Sequence, residues 1–183
     1  MAPTLYYLPG YGGQLSTGLG AALLARGFNI AGRETRDGFK DLPFLEQVQT
    51  VADDLTQHFW RGDALVIANS FGAYLFLNAQ AQLPPFPGKV LLLSPIVGEF
   101  VNEEHGTTFS PPYPERLKSF AEQGTFPHLA NAQIHVGELD WQSVPANVQA
   151  FGEAVGIPVK VVSQNGHMLD KAYVSALLDT WTA

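Results

Sequence analysis

The chain has 183 residues, 46% of them hydrophobic and 15% charged, which excludes intrinsic disorder and predicts one domain over residues 1–183. Its 10 basic and 17 acidic residues give a net charge of −7, which disfavours nucleic acid as a partner because phosphate binding needs a basic surface. There is no cysteine, so disulfides, thiolate nucleophiles and cysteine-based metal sites are excluded.

Neither a signal peptide nor a membrane-spanning segment is expected from the sequence. The first residues lack a basic region, and their short apolar run ends at Pro9 and Gly10. No later segment approaches the roughly 18 consecutive apolar residues that a spanning helix needs. We therefore expect a cytoplasmic protein.

Short apolar runs alternate with longer amphipathic stretches, a pattern that predicts βα units around a parallel sheet. Most of these runs are apolar at consecutive positions, so helices should cover both faces of the sheet. The six predicted strands are residues 4–8, 28–31, 64–68, 90–93, 133–136 and 159–162.

The clearest helix is predicted over residues 43–59, where apolar side chains recur at three- and four-residue spacing. Further helices are expected to begin near Ser16, Phe71, Ala146 and Leu169, the first of them ending before Gly27.

Residues 95–132 form a long connection that is rich in phenylalanine and proline. Only 115–123 within it predicts a helix. Long connections in compact domains are often lids or binding loops, so this segment is a candidate substrate cover. A packed surface elaboration is the alternative.

A serine stands between the third predicted strand and the following helix, in the sequence Ala68-Asn69-Ser70-Phe71-Gly72. A nucleophile elbow has this context, since its strained turn closes only if the residues two before and two after the serine are small. Ala68 and Gly72 meet that requirement. The usual pattern has glycine where Ala68 stands, so a βα turn without catalytic function is the alternative reading.

An acid and a histidine follow later strands in the chain order that a hydrolase triad requires. Asp140 comes after the fifth predicted strand and His167 after the sixth. Because parallel strands end at one edge of the sheet, both side chains should meet Ser70 there. His167 would take the proton of Ser70, and Asp140 would orient the imidazole. Glu138 is the rival acid.

The glycine-rich segment 9–13 follows the first strand. We assign the backbone N–H groups of Tyr11 and Phe71 as an oxyanion hole. The side chains of Tyr11, Phe71 and Trp141 are candidates for the substrate pocket. A dinucleotide-binding loop is excluded by spacing, because Leu15 stands where its third glycine is needed.

The remaining polar candidates have structural explanations. Ser94 is predicted to be structural, and Asp170 to cap the last helix. His58 is expected to pair with Asp54 one helical turn away, and His135 to be a hydrogen-bonded core residue. Since no metal-binding spacing occurs, we expect neither a metal nor a cofactor.

With these residues in place, the chain resembles the α/β-hydrolase superfamily, in particular its small bacterial serine hydrolases and esterases. The resemblance rests on Pro9–Gly13, Ala68–Gly72, Gly137–Asp140 and His167. It implies a compact α/β-hydrolase fold with six mostly parallel strands in the order 2-1-3-4-5-6. The oxyanion loop departs from that of many relatives, which begins His-Gly, because Pro9 precedes Gly10 here.

The sequence therefore predicts a serine hydrolase that cleaves a small, neutral, partly apolar ester through an acyl-enzyme on Ser70. A thioester or an amide is an alternative substrate. Two other functions stay open: a non-catalytic binding or regulatory module on a hydrolase fold, and an acyltransferase or lyase that uses the same triad. Oligomeric state is not predicted.

Overall fold

A six-stranded parallel sheet forms the centre of the computed structural model, which describes residues 4–104 and 106–182. Residues 1–3, 105 and 183 lie outside this description, among them His105 of the predicted cover. The strands are β1 Thr4–Leu8, β2 Asn29–Gly32, β3 Leu65–Asn69, β4 Lys89–Leu93, β5 Phe100–Asn102, β6 Thr107–Phe109, β7 Ala132–Gly137 and β8 Val159–Val162. Strands β5 and β6 form a separate hairpin, and the order of the other six in the sheet is β2-β1-β3-β4-β7-β8. This confirms the predicted order.

Helices cover both faces of the sheet, as the apolar runs predict. The helices are α1 Leu19–Ala25, α2 Asp37–Lys40, α3 Phe44–Asp54, α4 Phe71–Gln80, α5 Arg116–Glu122, α6 Pro145–Val155 and α7 Lys171–Trp181. Helices α1 and α7 pack on one face of the sheet, while α3, α4 and α6 pack on the other face with the larger part of the core. Within the described part of the chain, every helix is too short or too polar to cross a bilayer.

Helix boundaries differ from the prediction where local chemistry interrupts the apolar pattern. Helix α1 begins three residues later than predicted, because Gly18 has a φ of 53° and does not continue a helix. Helix α3 ends in one π-helical turn, Leu55–Phe59. Helix α7 begins after Asp170, whose carboxylate accepts hydrogen bonds from the Ala172 and Tyr173 amides. The predicted cap is thus confirmed.

The connection 95–132 contains the predicted helix, α5, and an antiparallel hairpin of β5 and β6 that the sequence did not predict. The rings of Phe100 and Phe109 stack across the hairpin with centroids 5.1 Å apart. Two strands of three residues are too short for an alternating pattern to be visible in the sequence.

Asp54 joins α3 to the middle of β1 and to the residue that follows β2. Its carboxylate accepts hydrogen bonds from the Tyr6 hydroxyl at 2.7 Å and from Arg33 Nε and Nη2 at 2.7 and 2.6 Å. The predicted pair of His58 with Asp54 is wrong, because this bidentate contact with Arg33 occupies both carboxylate oxygens.

His135 is a buried histidine on β7, and its Nδ1 lies 2.6 Å from the hydroxyl of Tyr173. The prediction of a hydrogen-bonded core residue is confirmed. Burial, with a smaller contribution from the Lys160 ammonium, lowers the pKa of His135 to about 4. The folded protein therefore keeps this imidazole neutral at pH values where an exposed histidine takes up a proton.

We expect His135 to make stability depend on pH in mildly acidic solution. In the unfolded chain the histidine pKa returns to about 6.5, so the unfolded state binds more protons as the pH falls from about 6.5 towards 4. The free energy of unfolding should fall by about 2 kcal/mol more for the wild type than for His135→Gln between pH 7 and 5. Urea unfolding at both pH values checks this, and equal losses in the two proteins would contradict it.

Candidate active site

Ser70 occupies the sharp turn between β3 and α4, with φ 52° and ψ −119°. This conformation costs a non-glycine residue on the order of 1–3 kcal/mol and persists only where the surroundings fix it. The Ser70 amide donates to the Leu93 carbonyl at 3.0 Å, and the Ile96 amide donates to the Ser70 carbonyl at 3.2 Å. The end of β4 and the residues after it therefore hold the turn in place.

Small residues on either side of Ser70 allow the turn to close, as the sequence predicts for an elbow. Ala68 is fully buried in the sheet. A Cβ added at Gly72 would collide with the carbonyl oxygens of Leu8 and Pro9. The first turn of α4 thus packs directly against the end of β1, which brings the following glycine-rich loop beside Ser70.

Ser70, His167 and Asp140 form a continuous chain of hydrogen bonds. His167 Nε2 lies 2.8 Å from Ser70 Oγ, and His167 Nδ1 lies 2.9 and 3.0 Å from the two carboxylate oxygens of Asp140. The Asp140 side chain has no exposed surface, while 15% of the His167 side chain is exposed. The structure thus brings together the three side chains that the sequence analysis singled out.

Backbone amides fix the carboxylate of Asp140. Its Oδ1 accepts hydrogen bonds from the amides of Gln142 at 2.9 Å and Ser143 at 2.8 Å. The hydroxyl of Ser143 donates to the Ser94 carbonyl at 2.7 Å, which ties the acid loop to the end of β4. The sequence analysis missed Ser143, since its partner lies 49 residues away and no local pattern marks the contact. Ser94 is buried and contributes its backbone here, in agreement with its predicted structural role.

Glu138, the rival acid, is exposed and engages different partners. Its carboxylate accepts hydrogen bonds from the Ser163 hydroxyl at 2.8 Å and the Gln164 amide at 2.9 Å. These two bonds, that of the amide first, lower the pKa of Glu138. Of the two acids, only Asp140 contacts the imidazole of His167 in the structure.

The loop after β1 lies against the serine. A Cβ added at Gly10 would be 3.3 Å from Ser70 Cβ and 3.7 Å from Ser70 Oγ. In the part of the chain that the structure describes, the amides of Tyr11 and Phe71 donate to no carbonyl or side chain. Both N–H groups are therefore available to a ligand, as an oxyanion hole requires.

Thr35, which follows β2, holds that loop in its shape. The amides of Gly12 and Gly13 donate to the carbonyl and the hydroxyl oxygen of Thr35 at 2.9 and 3.1 Å, and the Thr35 hydroxyl donates to the Gly10 carbonyl. The sequence analysis missed Thr35 too, since only the pairing of β1 with β2 brings it to the loop.

The three aromatic pocket candidates differ in exposure. Tyr11 is 67% exposed and meets the buried ring of Phe71 edge-on at 5.7 Å. Trp141 is 41% exposed and packs against Phe100 of the hairpin at 5.8 Å. The hairpin therefore contacts the residue next to Asp140.

Chemically, the hydrogen-bond chain can move a proton from a hydroxyl to an imidazole whose other nitrogen faces a buried carboxylate. Residues 4–104 and 106–182 contain no cluster of three or more histidine, aspartate or glutamate residues that could hold a metal ion.

Solved structures with this architecture include proteins described as α/β hydrolases and as carboxylesterases. The ydeN gene product of Bacillus subtilis superposes with a TM-score of 0.65 at 14% identity, covering 98% of both chains. The chain has the α/β-hydrolase fold. Est1E of Butyrivibrio proteoclasticus, solved with ferulic acid, gives a TM-score of 0.66 at 13% identity over 99% of this chain and 87% of Est1E. A structure from a study of carboxylesterases of the thaumarchaeon Nitrososphaera gargenis gives a TM-score of 0.64 at 12% identity, covering 98% of this chain and 89% of that one. No protein-family model and no curated protein matches the sequence.

The close packing of Gly72 in the elbow of this α/β-hydrolase fold can be tested by measuring stability, which does not depend on any activity. We expect Gly72→Ala to lower the free energy of unfolding by about 1–3 kcal/mol, because its methyl group would overlap two backbone carbonyls. Gly62→Ala is the matched control, since a Cβ there meets only the Pro87 carbonyl oxygen at 3.9 Å. Chemical denaturation measures both, and equal stability of the two variants would show that the turn at Ser70 is not closely packed.

Proposed function

We propose that the protein is a serine hydrolase that cleaves a small, neutral, partly apolar ester. The observation that carries the proposal is the hydrogen bond between Ser70 Oγ and an imidazole whose second nitrogen faces the buried carboxylate of Asp140. A serine hydroxyl is a weak nucleophile until such a base removes its proton.

In the proposed reaction, His167 Nε2 takes the proton from Ser70 Oγ as this oxygen attacks the ester carbonyl. The carbonyl oxygen becomes negative and accepts hydrogen bonds from the amides of Tyr11 and Phe71, each donor contributing about 10²–10³ in rate. The tetrahedral intermediate then collapses. The C–O bond to the alcohol breaks, the alcohol takes the proton from His167, and the acyl group stays on Ser70.

Water completes the cycle by taking the place of the alcohol. His167 removes a proton from a water molecule that attacks the acyl carbonyl, the ester bond to Ser70 Oγ breaks, and Ser70 Oγ takes the proton back from His167 as the carboxylic acid leaves. Asp140 stabilises the imidazolium formed in each half-reaction and holds the proton on Nδ1, so that Nε2 stays free to act as the base.

The surroundings favour a neutral ester. The second half of the chain, residues 91–183, carries ten acidic and four basic residues, which disfavours a polyanionic substrate. The exposed rings of Tyr11 and Trp141 offer apolar contact. The likeness of the fold to structures described as carboxylesterases favours an ester over a thioester or an amide.

We further propose that residues 95–132 form the substrate cover of a single domain. Phe100 of the hairpin packs on Trp141, the neighbour of Asp140. Movement of the hairpin would therefore alter access beside the acid loop.

Hydrolysis of p-nitrophenyl acetate tests the proposal and the choice of acid together. We expect Ser70→Ala to abolish turnover and Asp140→Asn to lower kcat by about 10⁴, since the amide favours the wrong imidazole tautomer. Glu138→Gln, the matched control, should keep kcat within about twofold, because among the described residues the Glu138 carboxylate accepts hydrogen bonds from Ser163 and Gln164 and not from His167.

Circular dichroism of each variant establishes that it is folded. Retained turnover in folded Ser70→Ala would refute the proposal, and a larger loss in Glu138→Gln than in Asp140→Asn would reverse the assignment of the acid. Product analysis with added methanol separates hydrolysis from acyl transfer, which would yield the methyl ester.

A further inference from the structure

Tyr113 has an unusual backbone for a large residue. Its φ is 54°, in the left-handed region that bulky side chains rarely adopt. The residue lies in the sequence Pro112-Tyr113-Pro114, where the flanking proline rings restrict the chain. Strain of this kind persists only when neighbouring groups hold it.

Hydrogen bonds from Tyr74 and Arg116 hold the strained segment. The Tyr74 hydroxyl shares its one proton between the carbonyl oxygens of Pro112 at 2.8 Å and Tyr113 at 2.9 Å, and the Arg116 amide donates to the Tyr113 carbonyl at 3.0 Å. Tyr74 is fully buried in α4, and burial raises its pKa to about 12. Its hydroxyl thus stays protonated and remains a donor at neutral pH.

The anchored backbone places the Tyr113 ring in an aromatic row that begins beside Ser70. Tyr113 stacks on Phe44 with centroids 5.9 Å apart, Phe44 lies 6.4 Å from Phe71, and Phe71 meets Tyr11 at 5.7 Å. The two inner rings are buried, whereas Tyr11 is 67% and Tyr113 53% exposed. The row therefore offers open apolar surface at both ends.

We propose that Tyr113 is a specificity-determining residue that binds the end of an extended apolar group of the substrate. This inference rests on the proposed function, because Phe71 both contributes a candidate oxyanion donor and joins the row. An apolar chain attached to the reacting carbonyl, on its acyl or its alcohol side, would extend past the two buried inner rings and cover the exposed part of the Tyr113 ring. Because the ring is already held in place, little ordering is needed on binding.

Tyr113→Gly tests this without adding strain, since glycine adopts a φ of 54° readily. We expect kcat/KM for p-nitrophenyl octanoate to fall about tenfold, mainly through KM, while that for p-nitrophenyl acetate stays within about twofold. Tyr113→Phe, which keeps the ring, should behave as the wild type. Asp37→Gly is the matched control, because it replaces another exposed non-glycine residue with a φ of 48°.

The same measurement of kcat/KM for Tyr113→Gly, made with octyl acetate and methyl acetate, tests the alcohol side of the carbonyl. A loss confined to the long ester, among either the p-nitrophenyl esters or the acetate esters, supports the proposal and shows whether the acyl or the alcohol group reaches Tyr113. Equal losses for short and long esters, or no loss in either series, would overturn it.

Binding of 1-octanol, measured by calorimetry, separates this inference from the proposed function. Weaker binding to Tyr113→Gly than to Tyr113→Phe supports the apolar subsite even if no ester is cleaved. Equal binding to the two variants, alongside ester hydrolysis that ignores chain length, would leave the hydrolase proposal standing and remove the subsite.

Discussion

Ser70 holds a backbone conformation that a serine keeps only when its neighbours prevent the turn from relaxing. The restraint comes from both sides, through hydrogen bonds to Leu93 and Ile96 and through the contact of Gly72 with the end of β1. This packing places the hydroxyl at the carboxyl edge of the sheet and the first turn of α4 behind it. Everything else in the candidate site is positioned relative to that turn.

The parallel sheet brings the other groups to the same edge. A Cβ added at Gly137 would collide with the carbonyls of Asn165 and Gly166, so the loops after β7 and β8 are in close contact. That contact places Asp140 against His167, and Ser143 fixes the acid loop to the end of β4. The proposed chemistry thus depends on backbone packing as much as on the reacting side chains.

What the sequence predicted follows from signals that are local in the chain. Most of the six sheet strands contain consecutive apolar residues, and the elbow is a serine between small residues at the end of one of them. The order of the strands in the sheet was predicted from the resemblance to α/β hydrolases, and the structure confirms it. The roles of Thr35 and Ser143 depend on contacts between distant segments, which no single-sequence pattern encodes. The hairpin of β5 and β6 was missed for another reason, because its strands of three residues are too short to show an alternating pattern. The wrong partner for Asp54 has the same origin, because helical spacing suggested His58 while the fold supplies Arg33.

Labelling with a fluorophosphonate probe, located by intact mass and peptide mapping, tests most directly whether Ser70 is an activated nucleophile. The account predicts one adduct per chain on Ser70, absent from Ser70→Ala, strongly slowed in His167→Ala and unchanged in Ser94→Ala. Folded wild-type protein that takes up no probe, or takes it up at another residue, would contradict the account.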